Sequence, residues 1–178
     1  MRPVAATVLP RRASRYDAPA VDYEIEIEPV KEQVVACLGG RGPVSELHER
    51  AKRLAAVLAQ AGVAWQGPLM ARFFDAGSYD PEETDYEVCL AVAPDDHGWT
   101  PDRVGDLPTT LIPAHHAMVA RHRGPYRTLG EAHAAIDREL EAVGYRLAGP
   151  VSEVFVEGPA AGRSPADYLT EVRYPFAR

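Results

Sequence analysis

Two stretches of the chain repeat one another at a fixed spacing, and this constrains the fold more than any other feature. Arg41-Gly42-Pro43 is followed by Leu47, Glu49, Leu54, Leu58, Gly62, Gly67-Pro68 and Phe73. Arg123-Gly124-Pro125 is followed by Leu129, Glu131, Ile136, Leu140, Gly144, Gly149-Pro150 and Phe155. Each pair is 82 residues apart, from Arg41 to Arg123 through to Phe73 and Phe155. A constant offset through a helix-length segment and its exit turn marks two copies of one unit.

The first copy runs from about residue 30 to 93. Tyr23, Ile25 and Ile27 alternate with Glu24, Glu26 and Glu28 ahead of it, the period-two signature of a half-buried strand ended by Pro29. Gln33 to Leu38 reads as a second strand, and Gly39 to Pro43 as the turn into a helix. On that helix Leu47, Ala51, Leu54, Leu58 and Ala61 fall on one stripe, and Gly62 stops it. Leu69 to Asp75 and Asp85 to Val92 are the next strands, joined by the loop Ala76 to Thr84.

Pro94 to Pro108 reads as a polar, proline-rich connector. The second copy, about 110 to 178, opens with a strand from Leu111 to His122. Its helix is marked by the capping-box sequence Thr128-Leu129-Gly130-Glu131, with Leu129, His133, Ile136, Leu140 and Val143 as the buried stripe. Val151 to Glu157 and Leu169 to Phe176 are its last strands. A two-residue insertion in the loop between them moves the final alignment to 84, so that Glu87 matches Glu171. The pattern predicts an α+β fold of duplicated β-α-β-β units, with antiparallel sheet, both helices on one face, and a ligand cleft where the copies meet.

The chain of 178 residues suits one domain spanning 22–178, with residues 1–21, rich in Pro, Ala and Arg, as a disordered leader. A formal charge of -7 argues against binding a phosphate backbone. Cys37 and Cys89 each lie in apolar, strand-like runs, which reads as buried inert thiols in a reducing cytoplasm and not as a disulfide. No apolar run reaches membrane-spanning or signal-peptide length.

Among candidate site residues, Glu171 lies on the strand face opposite Thr170, Val172 and Tyr174, so a carboxylate is expected in the cleft, where an unpaired charge is costly and tends to be functional. Pairing with Arg173 is the alternative. Glu87 occupies the matching place in the first copy, where an ordinary solvated carboxylate is the competing reading. Tyr126 lies at the mouth of the second helix, near its positive dipole end, where the first copy has Val44. Trp65, Phe73, Tyr145, Phe155 and Tyr168 are expected around the cleft, with Trp99 in the connector, and suit flat, lipophilic or cationic ligands. His115 and His116 are strand neighbours that point to opposite faces, so no metal site is expected, and His133 reads as a satisfied core histidine. No phosphate-binding glycine loop or nucleophile elbow is present, and no cofactor is expected.

Residues Ile112 to Tyr126, with Arg123-Gly124-Pro125-Tyr126 at their end, the helix that follows, and Tyr168-Leu169-Thr170-Glu171-Val172-Arg173-Tyr174-Pro175-Phe176 together resemble the GyrI-like (gyrase-inhibitor-like) effector-binding domain over about residues 22 to 178. The resemblance implies a central aromatic cleft in which the last-strand glutamate, here Glu171, reads lipophilic, often cationic drugs beside the tyrosine after Gly-Pro, here Tyr126. Members of the family act as sensor halves of regulators, as stand-alone drug binders, as gyrase-interacting proteins, and as hydrolases that open the cyclopropane of DNA-alkylating natural products. With no helix-turn-helix pattern ahead of the domain, the expectation is a stand-alone binder of hydrophobic or cationic small molecules (multidrug recognition, drug resistance). A hydrolase with Glu171 as base and Tyr126 as hydrogen-bond donor is the alternative, and a gyrase-binding module a third reading.

Overall fold

The computed structural model describes residues 22–75 and 79–178; the leader expected over 1–21 and residues 76–78 of the predicted loop lie outside the described residues. The first half comprises β1 (Ile25–Val30), β2 (Gln33–Gly42), α1 (Leu47–Gln60), β3 (Trp65–Phe73) and β4 (Thr84–Val92). A short hairpin strand, β5 (Arg103–Val104), precedes the second half. That half is β6 (Leu107–Ile112), β7 (His115–Arg123), α2 (Leu129–Val143), the two-residue β8 (Arg146–Leu147), β9 (Val151–Glu157) and β10 (Leu169–Ala177).

The strands form an antiparallel array in the order β1-β7-β10-β9-β3-β4-β2-β6-β5, with β8 alongside β10. The halves meet at β3 and β9, whose register pairs Ala71 with Glu153 and Phe73 with Val151. The repeat extends one strand further than its motifs suggested, because β1 and β6 also match at the 82-residue offset. Each of these first strands crosses over: β1 pairs with β7 of the second half, and β6 with β2 of the first. The supposed connector therefore supplies an edge strand, and the single strand expected from Leu111 to His122 is broken by Pro113 and Ala114. Pro29 lies inside β1 without harm, because an edge strand leaves one row of N–H groups unused.

Chain reach requires the sheet to curl. β1 and β2 stand six places apart in the strand order, roughly 29 Å if the sheet were flat. The Lys31–Glu32 link between them spans at most about 11 Å. The links Lys31–Glu32 and Pro113–Ala114 thus draw the two edges together at one end.

Both helices lie on the same face, as the repeat predicts. α1 buries Leu54 and Leu58 against Ala36, Phe73, Tyr86, Val88 and Leu90, and α2 buries Leu129, Ile136 and Leu140 against Met118, Ala120, Val172 and Tyr174. Each fully buried Leu or Ile contributes about 1.5–3 kcal/mol, which makes these stripes the main anchor of the helices. The opposite face, inside the curl, holds a smaller core of Val35, Met70, Cys89, Ile112 and Val154.

Four local expectations are corrected. Ala61, just beyond α1, is exposed, as is Val143, the last residue of α2. The capping box does not form: Thr128 makes no side-chain cap, and its hydroxyl donates instead to the Pro125 carbonyl at 2.8 Å. Gly39 to Gly42 continue β2 as strand, paired with Thr84 to Glu87 of β4, and Gly39 lies so close to Glu87 that a Cβ would come within 2.9 Å of the Glu87 Cβ. Cys37 and Cys89 are joined in a disulfide, since the register sets them directly opposite across β2 and β4.

Candidate functional site

The axis relating the two halves passes through the Ala71–Glu153 pair, since the two residues are repeat mates and also face one another across β3 and β9. A side chain here stands equally close to both halves. The first half offers a methyl group and the second a carboxylate, so the fold itself has no need of the charge. α1 rests chiefly on β4 and β2, and α2 chiefly on β7, so the floor between the helices is the β3–β9 seam that carries Glu153.

Aromatic rings border this carboxylate from both halves. Phe73 and Phe155 flank it on the same sheet face, one on each central strand. Phe155 meets the edge of Tyr126 with ring centroids 5.3 Å apart, and Tyr126 lies 4.9 Å from Tyr168. Tyr79, from the loop between β3 and β4, packs edge-on to Phe73 at 6.2 Å. Burial pushes the Tyr79 hydroxyl up to about 12, with a further rise from Glu153. Burial, then Tyr168 and Glu153, do the same to Tyr126, also up to about 12. Both hydroxyls therefore keep their protons at neutral pH.

Glu153 is held from the helix side. Its side chain is 13% exposed, and Oε1 accepts a 2.8 Å hydrogen bond from His133 Nε2. The other ring nitrogen, Nδ1, lies 3.0 Å from the Tyr174 hydroxyl, so one imidazole links the seam carboxylate to β10. His133 is a satisfied, buried histidine, as its place on the helical stripe implies, and it also fixes the orientation of Glu153.

The turn that delivers Tyr126 is braced by a second histidine. The Tyr23 hydroxyl lies 2.7 Å from His122 Nδ1, and His122 Nε2 lies 3.1 Å from the Thr128 hydroxyl. Gly158 completes the setting, because a Cβ there would fall 2.6 Å from the Tyr126 hydroxyl oxygen.

Of the residues expected at the site, Tyr126, Tyr168, Phe155 and Phe73 come together on the helix side of the seam. Glu171 does not join them. It faces the inside of the curl, where Oε2 accepts from Arg173 Nη2 at 2.6 Å and Oε1 lies 3.3 Å from Arg121 Nε. Arg121 is shared with Glu26 and Glu28, and both oxygens of the carboxylate expected to be open to a ligand are engaged by arginines. Glu87 shares that inner face and is paired with Arg72 at 2.5 Å.

Trp65 and Tyr145 also fall outside the cluster. Trp65 begins β3, six residues or ~20 Å along the strand from Ala71. Tyr145 lies beyond the far end of α2, ~22 Å from its N-terminus, stacked on Phe176 with centroids 5.0 Å apart. A cavity of about 240 Å³ does open on the face away from the helices, lined by Met70, Arg72, Ile112, His115, Pro150 and Arg173 among others. None of the expected site residues lines it.

Glu153 is the seam carboxylate that the sequence pattern did not single out. Its signal was available: at the 82-residue offset it falls on Ala71, a charge where the sister copy has a small apolar residue.

A family model for the GyrI-like small molecule binding domain matches residues 23–177. The chain belongs to the GyrI-like family. A search of curated proteins finds no match. Among solved structures, this GyrI-like chain resembles the EcmrR C-terminal domain with a TM-score of 0.79 at 22% identity, over 88% of this chain and 98% of that one. In the EcmrR–DNA complex it spans only 58% of the EcmrR chain. It also resembles a hydrolase from Listeria innocua (TM-score 0.63, 16% identity, 91% and 95% of the two chains). SAV2435 bound to tetraphenylphosphonium gives a TM-score of 0.58 at 11% identity, over 86% of this chain and 94% of that one. Among the described residues, no helix is long and apolar enough to cross a membrane.

Proposed function

We propose that this GyrI-like domain binds aromatic, lipophilic cations between α1 and α2, with Glu153 as the counter-charge and Phe73, Phe155, Tyr126 and Tyr168 as the walls. The carrying observation is a carboxylate at the seam of two sister halves, ringed by aromatics, at a position where the other half is content with alanine. Such a site attracts a delocalised cation through charge and ring faces together, without requiring a directional hydrogen bond. A similar fold in SAV2435 accommodates tetraphenylphosphonium, which supports the reading and supplies a probe.

Calorimetry with tetraphenylphosphonium tests it. Glu153→Gln is expected to weaken binding at least tenfold, about 1.4 kcal/mol, while Glu171→Gln leaves it unchanged. Equal affinity in Glu153→Gln and the unmodified protein would discard the assignment, and loss in Glu171→Gln alone would move the site to the inner face.

A hydrolytic reading has one observation in its favour. Glu153 stands hydrogen-bonded to His133, with the protonated hydroxyl of Tyr126 nearby, an arrangement that would suit a general base working with a hydrogen-bond donor. Incubating the protein with a cyclopropane conjugated to a carbonyl, and weighing the product by mass spectrometry, separates the two readings. Addition of water that disappears in Glu153→Gln is expected of an enzyme, and intact compound of a binder.

A further inference from the structure

On the inner face, away from the proposed groove, Cys37, Cys89 and Glu87 bring their ligand atoms within 4.8 Å of one another. From this cluster we infer a redox-gated zinc site: reduction of the Cys37–Cys89 disulfide turns the pair into two thiolate ligands, and Glu87 supplies a third. The inference is independent of the function proposed for the helix side.

Three strand positions create the cluster. Cys37 faces Cys89 across β2 and β4, while Glu87 lies two residues before Cys89 and so points to the same face. Opposite Glu87 stands Gly39, where any side chain would collide with it. The cysteines' strand mates in the second half are Val119 and Arg173, so the sheet does not need sulfur at these places.

Zinc bound tetrahedrally, at ~2.3 Å from sulfur and ~2.0 Å from oxygen, needs ligand atoms roughly 3.5–3.8 Å apart. The cluster reaches this spacing by small side-chain rotations once the sulfurs are no longer bonded. Arg72 holds Glu87 Oε1, which leaves Oε2 free to turn to the metal and fixes the carboxylate from behind. Met70, opposite Cys89, and Arg72, the partner of Glu87, both line the 240 Å³ cavity, so the cluster adjoins that cavity and an ion with its remaining water ligand would enter from there.

The chemistry balances in two steps. A dithiol reductant gives two electrons and two protons to the disulfide and becomes a disulfide itself. The two protein thiols then release two protons as zinc binds. β2 and β4 stay cross-linked in either state, by a sulfur–sulfur bond or by the ion.

The test compares oxidised and phosphine-reduced protein, each titrated with zinc chloride against a chromophoric chelator. The expected result is one equivalent of zinc in the reduced protein and none in the oxidised. Cobalt in place of zinc should give the thiolate charge-transfer band. Cys37→Ser or Cys89→Ser should abolish uptake, and Glu87→Gln should weaken it at least about tenfold, the lower end of what losing even an outer-shell partner costs. The oxidised–reduced comparison needs no variant, and circular dichroism checks the fold of each substitution. Equal zinc uptake in the two redox states overturns the proposal, as does undiminished affinity in Glu87→Gln.

Discussion

The two halves share a skeleton and divide the chemistry. Leu54 and Leu58 in α1 match Ile136 and Leu140 in α2, all buried and all packed against the same face of their own strands. Around that shared core the polar groups differ. On the helix side, Ala51, Ala71, Leu90 and Val44 of the first half correspond to His133, Glu153, Tyr174 and Tyr126 of the second. On the inner face the difference runs the other way, with Cys37, Cys89 and Arg72 against Val119, Arg173 and Val154. A duplicated fold thus separates what its helices require, the apolar stripes present twice, from polar groups present once that the shared skeleton does without.

The largest expected effect tests the shared part. Leu54→Ala and Ile136→Ala, each at a fully buried site, are expected to cost about 2–5 kcal/mol and to agree with each other within the scatter of denaturant measurements. A large mismatch would show that the halves are not equivalent in packing.

A smaller effect sharpens the unshared part. Gly158→Ala drives a methyl group into the Tyr126 hydroxyl, at a cost of about 1–3 kcal/mol. Removing that oxygen with Tyr126→Phe should restore most of the loss in a double-mutant cycle. Simple additivity of the two changes would mean that Tyr126 is not held by this contact.

The smallest effect is electrostatic. The Tyr79 and Tyr126 hydroxyls rise to about 12 in the folded chain, above an ordinary value of about 10. The folded state therefore keeps protons that the unfolded state gives up, so their contribution is whole below pH ~10 and fades as pH climbs towards ~12. Denaturation midpoints should fall across that window, and less steeply in Tyr126→Phe. A window unchanged by the substitution would assign the slope to other groups.

Much of the architecture was legible because repetition and helical spacing are local. The offset from Arg41 to Arg123, the stripes through Leu54 and Ile136, and the stops at Gly62 and Gly144 all lie along the chain itself. What the sequence concealed depends on pairing between distant segments. Nothing near Cys37 announces that Cys89 will stand opposite, and nothing near β6 announces that it will leave its own half. For Glu171, alternation along one strand shows Arg173 on the same face, whereas Arg121 arrives only from the register of β7 with β10. Glu153 was overlooked because Val151-Ser152-Glu153-Val154-Phe155 looks like ordinary strand; only its alignment with Ala71 marks it.

The crossing of β1 and β6 bears on how the molecule is made. As synthesis proceeds from the N-terminus, Ile25 emerges early yet must wait for Ala120 before its backbone is paired. The first half likewise cannot close its edge until Leu111 and Ile112 have followed. The first half thus lacks its edge strand until the second has begun, and β1 stays unpaired until β7 has been made, which ties the closing of each half to its sister.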